Sequence, residues 1–182
     1  MIPMIVKEDT PMKKMTSAYA QKMLRSLEEE KSYWIEKESS SSIYTSATNE
    51  APIVPEYDYK AVAKEIDAVD HKIRVLKHAI NLSNATAEIS VDNEILSVDS
   101  ILIEMAQLNK RKATLDFMRK QLPKSRVSPS YRMRNALPEF HYINYDLDTV
   151  NADFERVSDR IMALQMALDY HNQTVQFDVD WD

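Results

Sequence analysis

The groups in this 182-residue chain that can do chemistry are four histidines, 29 carboxylates, 23 bases and a run of serines, with no cysteine. His71 and His78 are seven residues apart, two helical turns or roughly 10 Å, too far to share a metal ion. Asp67 and His71 have the four-residue spacing that two ligands on one helix need, but no third ligand accompanies them. His141 falls in a β-like run and His171 on an apolar helical seam, and both read as packing or surface residues. Glu28-Glu29-Glu30, and Asp153, Glu155 and Asp159, sit among bases at helical spacing and read as solvated faces. A catalytic pair would need a cleft that drives two pKa values apart. Ser39 to Ser42 have no base poised to activate a hydroxyl. The absence of cysteine excludes disulfides, thiolate metal sites and a thiol nucleophile. The absence of glycine excludes a Walker A loop, a GxGxxG turn, a GxSxG elbow and a standard EF-hand loop. No catalytic residue, cofactor or metal is therefore expected, and the chain is not expected to be an enzyme.

Two constellations remain. Between Lys110 and Arg134 the bases are Lys110, Arg111, Lys112, Arg119, Lys120, Lys124, Arg126, Arg132 and Arg134, against the single acid Asp116. The whole chain carries −6, so this window stands against a strongly acidic remainder. One reading gives Lys120, Lys124, Arg126, Arg132 and Arg134 an anionic partner, with Tyr131 stacking on a base and the cations following a phosphate backbone. The other pairs them with acids of the same protein or of a second copy. The second constellation is Asn81, Asn84 and Asn172. These amides either form a polar contact or satisfy carbonyls at helix ends.

The elements that must position these groups are long helices. From Tyr59, the residues Val62, Ile66, Val69, Ile73, Leu76, Ile80 and Ser83 follow steps of three and four, with Asp58 placed to cap the start. Leu147, Val150, Phe154, Val157, Ile161, Leu164, Leu168, His171 and Val175 repeat the pattern behind Asp146 and Asp148. A helix over about Thr16 to Glu38 turns Ala20, Leu24, Leu27 and Trp34 to one side. Another runs from about Val98 to Leu122, with Ile101, Met105, Leu108, Leu115, Met118 and Leu122 inward, Ser97 or Asp99 as cap and Pro123 as stop. The last three helices should each be about 36–42 Å long. Ser39 through the prolines at 52 and 55 reads as an exposed linker over 39–57. Ile89 to Ile95 reads as a hairpin whose turn is Asp92-Asn93. Phe140-Tyr142-Ile143 and Val175-Phe177-Val179 read as further strands, and a small antiparallel sheet capping one end of the bundle is expected.

The helix ends carry a resemblance. Ile80-Asn81-Leu82-Ser83-Asn84-Ala85-Thr86, Leu108-Asn109-Lys110-Arg111-Lys112 and Leu168-Asp169-Tyr170-His171-Asn172, with Tyr57-Asp58-Tyr59 and Asn144-Tyr145-Asp146, resemble a family of small bacterial helical proteins of unknown function, some labelled septicolysin-like. The resemblance spans about Met12 to Val179. It departs at Gln173, where relatives often carry tryptophan, and in the loops, where relatives carry glycine. It implies a long helical hairpin that oligomerises, and no particular activity; the septicolysin label itself implies membrane activity.

The expectation is a mainly all-α protein of long antiparallel helices in a coiled-coil-like bundle with a small β cap. Residues 1–11 read as a flexible extension, with Met12 a second possible start, and 12–182 as one helical domain. No stretch approaches the ~18 apolar residues of a transmembrane helix, and no secretory signal is evident, so a cytoplasmic location is expected. The function expected is interaction or assembly through self-association or a protein partner. The alternatives are a nucleic-acid-associated accessory protein using residues 110–134 and a membrane-active protein.

Overall fold

The computed structural model describes residues 12–127 and 137–181. The extension expected over residues 1–11 lies outside them, as do Tyr131, Arg132 and Arg134. The protein is mainly α-helical. In chain order the elements are β1 (Lys13–Thr16), α1 (Ser17–Ser41), α2 (Tyr59–Thr86), β2 (Glu88–Val91), β3 (Glu94–Ser97), α3 (Val98–Arg119), β4 (Lys124–Arg126), β5 (Phe140–Tyr142), α4 (Leu147–Thr174) and β6 (Gln176–Val179). At ~1.5 Å per residue the helices run about 33–42 Å.

Side-chain oxygens start each helix by accepting from backbone N–H groups that lack an intrahelical partner. Thr16 accepts from Tyr19 N, Asp58 from Lys60 N and Ala61 N, and Asp146 from Asp148 N. Of the two candidates before α3, Ser97 is the cap, accepting from Ser100 N at 3.1 Å, and Asp99 lies in the first turn. α1 runs on to Ser41, three residues beyond the expected end, so the linker is shorter than expected. In this added stretch Ser40 donates its hydroxyl to Lys37 O, one turn back. α3 ends at Arg119 and not at Leu122, closed by Gln121 N donating to Met118 O, so Leu122, expected inward, lies beyond the helix and is exposed.

The expected single β cap is replaced by three separate two-stranded antiparallel ladders. β1 pairs with β6, β2 with β3, and β4 with β5. The expected strands at 140–142 and 176–179 do form, but their partners are the lysine-bearing stretches Lys124–Arg126 and Lys13–Thr16, so no common sheet assembles. The β2–β3 turn is Asp92-Asn93, with φ of 49° and 69°. Two successive positive φ values are what a tight hairpin of this twist requires, and Asp and Asn reach them without glycine.

The fold divides into two compact units. The first takes the chain up to Ala87 together with the stretch from Asp169, and the second is Glu88–Leu168. In the first, α1 and α2 run antiparallel. Glu28 meets Lys77 and Lys31 meets Asp70, so later residues of α1 face earlier residues of α2. Their core joins Ala20, Leu24 and Leu27 to Val69, Ile73, Leu76 and Ile80, closed by Met15 of β1 and Val179 of β6. Trp34 and Trp181 pack against it. In the second, α3 and α4 also run antiparallel, because Tyr145 bonds Met118 while Arg160 bonds Glu104. Leu115, Val150 and Val157 are buried there, with Leu108, Met118, Phe154 and Ile161 against them.

Candidate functional site

The basic window proves to be two different structures. At the end of α3, the cations serve the fold. Asp116 accepts from Arg119 Nε at 2.9 Å and is paired with Lys120 Nζ, and these two bonds, Lys120 first, hold its carboxyl below the usual range. The Arg119 guanidinium also lies 3.9 Å from the Phe154 ring centroid, with Lys112 over the same ring at 5.4 Å. Such stacking suits the flat, weakly hydrated guanidinium. Lys110 and Arg111 are exposed and form no ion pair among the described residues.

Beyond Pro123 the chain turns into the β4–β5 ribbon. Its register pairs Lys124 with Tyr142, Ser125 with His141 and Arg126 with Phe140. Side chains alternate across a strand, so Lys124, Arg126, Phe140 and Tyr142 share one face. The ring centroids of Phe140 and Tyr142 are 6.5 Å apart, and Lys124 Nζ lies 4.2 Å from the first and 5.4 Å from the second. Phe140 is 39% exposed and Tyr142 65%. Val127 N donating to Glu139 O and Ile143 N donating to Pro123 O extend the ladder at both ends.

The sequence reading missed Arg160 of α4, which joins three acids of the second unit. Arg160 Nε donates to Glu104 of α3 at 2.8 Å, Nη1 to Asp92 at 3.1 Å and Nη2 to Glu94 at 2.6 Å. The Glu104 bond outweighs the cost of desolvation and, with the bonds to Glu94 and Asp92, raises the guanidinium pKa above its ordinary value. One side chain of α4 thus fastens the β2–β3 turn and α3. The available signal was an arginine one turn past Val157, on the flank of the apolar seam. Beside it is an open cleft of about 570 Å³ lined by Asp92, Ala152, Glu155, Arg156, Asp159 and Ala163. Arg156 is bonded to Asp153. The cleft is open to solvent, and Asp92, Glu155 and Asp159 line it together with Arg156 and Arg160.

The asparagines are not joined. Asn81 is exposed, Asn84 and Asn172 are half-buried, and no hydrogen bond links them among the described residues. The end of α2 is closed instead by Ala87 N donating to Ser83 O and by Thr86 Oγ1 donating to Leu82 O. His71 and His78 are exposed, and no group of three or more metal-ligating side chains occurs among the described residues. A second open cleft, about 590 Å³, lies in the first unit between Lys13, Met23, Leu27, Lys72 and Trp181.

His171 is buried near the end of α4, and burial lowers its pKa. A histidine with a depressed folded pKa favours the neutral form. Its contribution is whole above the unfolded pKa near 6.5 and is lost as pH falls from there through the folded value. The urea midpoint should therefore drop between pH 7.5 and pH 5.5, and His171→Leu should flatten that drop. An equal drop in both proteins would show that other groups carry the acid sensitivity.

No protein-family model and no curated relative matches the chain. A solved structure of similar fold exists: the crystal structure of a functionally unknown conserved protein from Corynebacterium diphtheriae. It aligns with a TM-score of 0.60 at 14% identity, over 91% of this chain and 99% of that one. At that identity the likeness is one of fold alone. Among the described residues, no helix is long and apolar enough to cross a membrane.

Proposed function

We propose that this chain is a non-enzymatic assembly protein whose long helices associate with a second copy in a coiled-coil-like manner. The observation that carries this reading is the apolar surface left in water on regular helices. Met162 and Met166, one turn apart on α4, are 61% and 67% exposed. Leu102, Ile103 and Phe117 of α3 are exposed as well. Large apolar side chains clustered along a helix mark an interaction surface more often than they mark chance. Methionine adapts well to such contacts.

Sedimentation velocity over a wide concentration range tests it. The protein should sediment as a dimer or larger species, and Met166→Glu should shift it toward monomer. Burying one such side chain is worth about 1.5–3 kcal/mol, so the dissociation constant should rise at least roughly tenfold. A wild-type protein that stays monomeric at the highest concentration removes the proposal.

A second reading, binding of nucleic acid through the basic window, is favoured by the exposed cation–aromatic face of the β4–β5 ribbon. The α3 end of the window supports it less, because Arg119 and Lys120 are already held by Asp116.

A further inference from the structure

We infer that the Lys124–Arg126–Phe140–Tyr142 face of the β4–β5 ribbon binds single-stranded nucleic acid, an inference that deepens the second reading above and rests on it. Three observations carry it. First, register alone places two aromatic rings and two cations on one face, and all four residues are exposed. Second, none of the four belongs to either apolar core described above, and among the described residues both rings stay exposed. Third, Lys124 lies close to both rings and Arg126 forms no ion pair among the described residues, so the face is cationic where the chain as a whole is acidic.

Rings and cations side by side match the two repeating features of a single strand, a base with a free π-face and a phosphate. A duplex hides its base faces in the stack, so a stacking platform discriminates against it. In the free protein Lys124 caps its own aromatic pair. On binding, a base takes its place against a ring and the ammonium moves to the phosphate, exchanging one cation contact for another.

Fluorescence anisotropy with end-labelled oligothymidylate and oligouridylate, and with a duplex of the same length, tests the inference on the full chain. Both single strands should bind at low salt and the duplex more weakly. Phe140→Leu and Tyr142→Leu keep apolar bulk on the strand but remove the π-face. Each should weaken binding by roughly 5- to 140-fold, the range for loss of one base–aromatic stack. Phe140→Tyr should restore affinity. Arg126→Ala should weaken binding to every sequence alike and reduce the slope of log K against log salt by about 0.7. Circular dichroism of each variant should match wild type. Salt-sensitive binding that ignores both leucine variants would overturn the ribbon as the site and leave the basic-window reading standing. Duplex bound as tightly as single strands would overturn the preference for unpaired bases. No binding of any oligonucleotide at low salt would overturn the inference and the reading beneath it together.

Discussion

Leu76→Ala should lower the stability of the first unit by about 3–5 kcal/mol, a large share of the roughly 5–15 kcal/mol that a domain possesses. Leu76 is wholly buried on α2 between Ile73 and Ile80 and belongs to the core that Met15, Leu24, Leu27 and Val179 complete. Removing its branched end takes away transfer free energy and leaves a cavity that long packed helices cannot collapse. Leu76→Met, nearly equal in volume, should cost under about 1.5 kcal/mol. The protein carries its own probe for this measurement, because both tryptophans, Trp34 and Trp181, pack against the core of this unit. Urea unfolding followed by tryptophan fluorescence therefore reads the first unit, and circular dichroism reads the whole chain. A midpoint shift equivalent to less than about 1 kcal/mol for the alanine variant would show that the helices do relax around the gap.

Arg160→Met should destabilise the second unit by about 2–3 kcal/mol. The figure comes chiefly from Glu104, which is 30% exposed and would lose its bidentate partner. Asp92 and Glu94, each 61% exposed, add little because water screens them. The two contributions separate experimentally. Adding Glu104→Gln to Arg160→Met should recover part of the loss, since the stranded charge is gone. Hydrogen exchange at the β2–β3 hairpin should quicken in the single variant. Should the two variants prove equally stable, the arginine would owe its effect to packing along its stem and not to its charge.

Much of the fold could be read in the sequence where periodicity is long. The seams of α2 and α4 repeat over seven or more steps, so a single misplaced residue does not hide them. The Asp92-Asn93 turn was legible because few residue types accept two positive φ values. β1 and β4 were not legible. Lys-Lys-Met-Thr and Lys-Ser-Arg are too short and too charged to show a period of two, and only their pairing with β6 and β5 makes them strands. The same limit hid Arg160, whose acceptors lie 56 to 68 residues away. At the basic window the sequence located the charge. Tyr131, which it named as a stacking residue, lies outside the described residues; the rings beside Lys124 are those of Phe140 and Tyr142, and only the ladder register reveals that.

The pairing of β1 with β6 bears on the order in which the protein is made. Lys13 opposes Val179 and Thr16 opposes Gln176, so this ladder joins the first and last described strands. The second unit is one uninterrupted stretch, Glu88–Leu168, and has all its parts before the ladder's later strand is synthesised. The first unit must hold α1 and α2 without Val179, a fully buried member of their core, until that strand emerges. Contacts of such long sequence separation form slowly. During that interval the core that Met15, Leu24 and Leu76 belong to lacks one of its buried members. A released chain truncated before Gln176 would therefore have every part of the second unit and an incomplete first, which limited protease digestion can read directly.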